Sequence, residues 1–160
     1  MALHEFPVRQ ERTGWRDAEI SARHREWGFN CPAVDLDFLM VEYNLGKPVG
    51  LVEYKHFMAS EPNLLHPTYR AIVDLGDNYR PDDGRDAGLP VLIAFYWPDV
   101  WAFRVHPLND SARRWFTDGA VISEREFVTR LYAVRAYTVS TSVLAKLNDD
   151  LPPGFDWLPF

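Results

Sequence analysis

The sequence predicts an α/β sandwich: a single domain over residues 1–160 with a central mixed sheet flanked by helices. Three observations carry this. Segments of helical and strand character follow one another as helix, strand, strand, helix, strand, strand, helix, an order that suits a covered mixed sheet and not a doubly wound nucleotide fold. The 160 residues are the length of one domain, and a composition 47% hydrophobic and 14% aromatic supplies a substantial core. Finally, the chain carries no internal repeat and no low-complexity tract, and its loops rich in Pro, Gly and Asp are too short to be interdomain linkers.

The elements follow in order. "TGWRDAEISARHREW", Thr13 to Trp27, has helical character and stops before Gly28. On a helical wheel Trp15, Ala18, Glu19, Ala22 and Glu26 share one face, so two carboxylates lie among its small and aromatic positions. "AVDLDFLMVEY" and "PVGLVEYKH" are apolar, partly β-branched runs joined by Asn44-Leu45-Gly46, which reads as a hairpin with Gly46 in the left-handed position. Pairing Tyr43 with Lys47 sets Val41 against Val49, Leu39 against Leu51, Asp37 against Glu53 and Asp35 against Lys55. The other face, with Val34, Leu36, Phe38 and Met40 against Val52 and Tyr54, is expected to pack on a helix, which makes both strands interior. "PTYRAIVDLGDNYR" suggests a second helix, "LPVLIAFYW" and "VWAFRVHPL" two more strands, and "SEREFVTRLYAVRA" a last helix opened by Ser123 with Glu126 at capping-box spacing.

Composition narrows the functional classes. A net charge of −6 argues against coating nucleic acid by bulk electrostatics but leaves room for a local basic surface. Arg16 and Arg23 share one side of the first helix, with Arg9 and Arg12 just upstream, as a candidate phosphate track. A single cysteine, Cys31, allows no intramolecular disulfide and excludes a cysteine-rich zinc module. The start of the chain lacks an apolar core of signal-peptide length, and the longest wholly apolar run, "VLIAFYW", is too short to span a bilayer. The expectation is a soluble cytoplasmic protein with no membrane partner. His24, His56, His66 and His106 lack metal-ligand spacing, and the two that precede proline, His66 and His106, are expected to mark turns. There is no glycine-rich phosphate loop and no Gly-x-Ser-x-Gly elbow.

The chemistry concentrates in "VGLVEYKHF". One residue separates Glu53 from Lys55, so in a strand both side chains leave the same face, and burying them without partners would cost several kcal/mol. The chain has only three lysines, Lys47, Lys55 and Lys146, and otherwise uses arginine, which makes a lysine inside an apolar strand a signal. In the register above, Asp37 and Glu53 are cross-strand neighbours whose carboxylates can share one Mg²⁺ or Mn²⁺. Lys55 beside them can orient or help deprotonate a water and stabilise charge on a phosphate. The bland alternative is an Asp35–Lys55 ion pair with Asp37 and Glu53 solvated, which a hairpin on the rim of the sheet would favour.

An acidic residue on one strand, a hairpin, Glu-x-Lys on the next strand and a preceding helix that bears glutamate together resemble the PD-(D/E)XK nuclease superfamily, which includes restriction endonucleases and Holliday-junction resolvases. The resemblance covers about Thr13 to Tyr69. It implies a restriction-endonuclease-like fold and metal-dependent phosphodiester hydrolysis, with Asp37 and Glu53 as metal ligands, Lys55 as the catalytic lysine and Glu19 as the helix acid. Asp35 competes with Asp37, and Glu26 with Glu19; no proline immediately precedes the aspartate, although Cys31-Pro32 lies shortly before it. The implied partner is nucleic acid, DNA ahead of RNA, and a homodimer or a protein partner is compatible with it. The alternative is a non-catalytic binding or assembly protein on the same scaffold.

Overall fold

The computed structural model describes Arg23, Glu26 and Trp27 in a first unit that ends at Asp35, and then, in the unit Leu36–Phe160, residues 36–42, 45–82, 84 and 86–154. In the first unit Arg23 and Glu26 are helical and the Trp27 amide donates to the Arg23 carbonyl at 3.2 Å, in line with a helix ending before Gly28.

The second unit is an α/β fold built on a mixed five-stranded sheet. Its elements are β1 (Phe38–Glu42), β2 (Lys47–His56), α1 (Pro67–Asn78), β3 (Val91–Trp97), β4 (Ala102–Pro107), α2 (Asp110–Arg113), β5 (Ala120–Ile122), α3 (Glu124–Val134) and α4 (Thr141–Leu144). The strands lie in sequence order; β2 and β3 are parallel, joined by the α1 crossover, and the other neighbours are antiparallel. Alternation divides the side chains between two faces. Val52, Leu92, Ala94, Phe103, Val105 and Ile122 pack with Phe127 of α3 on one face, while Leu51 and Val91 pack with Ile72 of α1 on the other. The fully buried Phe127 stacks on Phe103 with centroids 4.1 Å apart.

Local chemistry sets the ends of these elements. His66 opens α1, its side chain accepting from the Thr68 amide, with Pro67 in the first turn where its missing N–H costs nothing. Ser123 opens α3 as the capping-box spacing predicts, accepting from the Glu126 amide at 3.2 Å. Gly76, near the end of α1, allows the helix to lie against β3: a Cβ there would meet Val91 Cγ2 at 2.3 Å. Asn109, buried, bonds to three elements at once. Its Oδ1 accepts from the Val91 and Ala112 amides, and its Nδ2 donates to the Leu89 carbonyl and to Asp77 Oδ1.

The hairpin differs from expectation in two respects. Leu39 pairs with Leu51 as predicted, and Gly46 is left-handed at φ +62°, but beyond Met40 the register slips, so that Val41 faces Pro48 and Glu42 faces Lys47. Pro48 has no N–H to give the ladder, so a regular pairing cannot continue through it. Only β2 is interior; β1 is the edge strand, and Phe38 is half exposed, with its ring edge-on to Tyr54 at 5.1 Å. Three short elements, α2, β5 and α4, were not expected from the sequence.

Tyr54 sits in the α3-side core, and burial pushes its phenol from 10.0 up to about 12. The neutral ring is therefore favoured by folding, and the contribution is intact below pH ~10 and lost as pH rises through about 12. Urea midpoints measured from pH 9 upward are expected to fall across that window in the wild type and by less in Tyr54→Phe.

Candidate active site on the central strand

Strand β2 carries the candidate site at its carboxyl end, next to the carboxyl end of parallel β3, which is where open α/β sheets place their ligands. Glu53 and Lys55 leave the face covered by α1. The Lys55 ammonium lies 2.7 Å from Glu53 Oε1, and each side chain keeps about a quarter of its surface exposed. The crossover brings the first turn of α1 back over this end of the sheet, so the Tyr69 hydroxyl donates to the same Glu53 oxygen at 3.0 Å. A carboxylate, an ammonium and a phenol thus form one cluster.

The cluster fixes protonation. Its hydrogen bond to Glu53 pushes Lys55 above the usual lysine value; partial burial acts against this, and Tyr69 adds to the rise. Burial pushes the Tyr69 phenol up, the Lys55 ammonium works against that, and Glu53 adds to the rise. At neutral pH Lys55 is therefore a cation, suited to orienting a water or stabilising a phosphate and not to removing a proton.

Asp37 lies just before β1, next to the Phe38–Val52 pair. Its Oδ2 accepts from the Tyr54 amide at 3.2 Å, which sets this carboxylate beside the backbone between Glu53 and Lys55. Glu19 and the competing Asp35 lie outside the described residues. Glu26 is exposed and pairs with Arg23 at 3.0 Å, within the first unit. Arg9, Arg12 and Arg16 of the predicted phosphate track also lie outside the described residues.

The register adds two residues that the sequence reading left out. Lys55 pairs with Phe95 and Phe95 with Arg104, while Glu53 pairs with Ile93 and Ile93 with His106. Opposed residues share a face, so Arg104 and His106 stand on the same side of the sheet as Glu53 and Lys55. Arg104 lies over the Phe95 ring at 4.6 Å and forms an ion pair with Glu61. His106 Nδ1 is 2.9 Å from Asp118 Oδ1, and its Nε2 is buried with no hydrogen-bond partner. His106-Pro107 does not mark a turn; both residues belong to β4. The signal was available, because "AFRVHP" puts Arg104 and His106 two apart in an apolar strand, the same pattern that singled out Glu53 and Lys55.

Among the described residues, no group of three or more His, Cys, Asp and Glu side chains is arranged to hold a metal ion. Asp37 and Glu53 each keep one carboxylate oxygen without a partner among those residues. Two hard oxygen donors fit Mg²⁺ or Mn²⁺ with water filling most of the coordination shell. Among the described residues no helix is long and apolar enough to cross a membrane. No family model, no curated protein and no solved structure matches the chain.

Proposed function

We propose that this chain hydrolyses phosphodiester bonds in nucleic acid, DNA ahead of RNA, with Mg²⁺ or Mn²⁺ as its cofactor, on a restriction-endonuclease-like fold. The observation that carries the reading is an acid and a lysine paired on an interior strand, with a second carboxylate on the amide between them. An ion pair on a rim strand would need no function; one on β2 takes the place of core. Asp37 and Glu53 would hold the metal, and Glu19 remains the proposed helix acid. When bound, the metal stabilises charge on the phosphate and lowers the pKa of the attacking water. Lys55 contributes a fixed positive charge where the phosphate becomes more negative, and Tyr69 holds Glu53 and Lys55 in place. Arg104 adds a second cation on the same face.

The test is cleavage of single-stranded, duplex and branched substrates of DNA and RNA by the whole chain, in Mg²⁺ and in EDTA. Cutting in Mg²⁺ alone is expected. A second reading, a binding or assembly protein on the same scaffold, is favoured by the double occupation of Glu53 Oε1 by Lys55 and Tyr69. It predicts binding with no cutting in either condition.

A further inference from the structure

Beyond Lys55 the chain continues into aromatic residues, and these form an array at the carboxyl ends of β2 and β3. Phe57 stacks on Trp97 at 5.5 Å and 19°, His56 lies 4.6 Å from Phe57 and meets Tyr96 edge-on at 5.6 Å, and Tyr96 stacks on Trp101 at 6.0 Å and 17°. Trp101 is the unusual member. It closes the loop after the Trp97–Ala102 pair with φ +53°, its amide donating to the Trp97 carbonyl at 2.6 Å, and 45% of its surface is exposed. Glycine or asparagine fills a left-handed loop position with little strain, whereas a bulky residue there is a backbone outlier. The turn does not need an indole. The residue is accounted for by what its ring does, a reading that runs from an observed outlier to a function.

We propose that the Tyr96–Trp101 stack is a platform for unpaired nucleobases, so that nucleic acid reaches the candidate site as a single strand. Every base has a π-face, and parallel rings held at a loop tip accept one without hydrogen-bond readout. Cations that attract phosphate border the rings: Lys55 immediately precedes His56, and Arg104 follows the Phe103 that pairs with Tyr96. This deepens the nuclease reading and rests on it for the identity of the ligand, but the binding step needs no metal.

The experiment measures, in EDTA, the affinity of the whole chain for a labelled thymine oligonucleotide and for an abasic strand of the same length and charge. Wild type is expected to prefer the thymine strand by about tenfold or more, the size of a base-stacking contribution. Trp101→Gly should abolish that preference while its Tm stays within a few degrees of wild type, and Trp101→Tyr should retain it. Equal binding of the two strands by wild type, or an undiminished preference in Trp101→Gly, would overturn the platform. Thymine preference without metal-dependent cutting by wild type would remove the nuclease reading and keep the platform. Cutting at the wild-type rate by Trp101→Gly, with no thymine preference in wild type, would do the reverse.

Discussion

Lys55→Ala is expected to lower the rate of metal-dependent cleavage by about 10²–10³-fold, the loss typical of one donor aimed at developing charge. The ammonium is kept protonated by Glu53, so its charge is present before the phosphate arrives and grows in value as the phosphate becomes more negative. That interaction strengthens toward the transition state, so single-turnover rates should fall while binding of uncut substrate in EDTA changes little. Lys55→Arg keeps the charge but replaces a compact ammonium with a planar fork and should recover only part of the rate. Glu53→Gln separates roles further: it removes a metal ligand and the hydrogen bond that raises the Lys55 pKa. The alkaline limb of the pH–rate profile, if it reports Lys55, should therefore move to lower pH in this variant. Unfolding curves of each variant, measured in parallel, distinguish a lost catalyst from a lost fold.

Asn109→Ala is expected to cost on the order of 4 kcal/mol of stability, because it strands several backbone groups at once. The Val91 amide and the Leu89 carbonyl are buried at the start of β3 and depend on the Asn109 side chain, and the Ala112 amide loses its cap. No single-residue replacement restores all four bonds. Asn109→Asp keeps the two accepted bonds but turns a donor toward Asp77 into a negative charge, so it should also be destabilising, though cap and strand start survive. Urea unfolding of the three proteins at one pH provides the comparison.

What was legible in the sequence follows from the range of the interactions involved. Glu53 and Lys55 could be found because the two-residue period of a strand is local, and the Leu39–Leu51 pairing because the loop at Gly46 limits the register. The slip at Met40 was also in view: Pro48 stands two residues past the loop and cannot donate to the ladder. Strand β5 has only three residues, too few for any period to register. Tyr69, Arg104 and His106 joined the site through tertiary geometry, Tyr69 by the return of the α1 crossover and the others by the β3–β4 register. Asn109 reads as an ordinary turn residue in "PLNDS", and its partners include Asp77, 32 residues away, which no local pattern specifies. The mixed sheet and its helices came from segment order; the neighbours of the lysine came from the fold.

The claim at the centre of this account is that Asp37 and Glu53 share a divalent ion. The direct measurement is an anomalous difference map from crystals of the whole chain grown in Mn²⁺, with crystals of Glu53→Ala under the same conditions. The account predicts one peak bridging the Asp37 and Glu53 carboxylates in the wild type and none there in the variant. A wild-type map with no peak between these carboxylates, from crystals in which Mn²⁺ has full access to them, would contradict it.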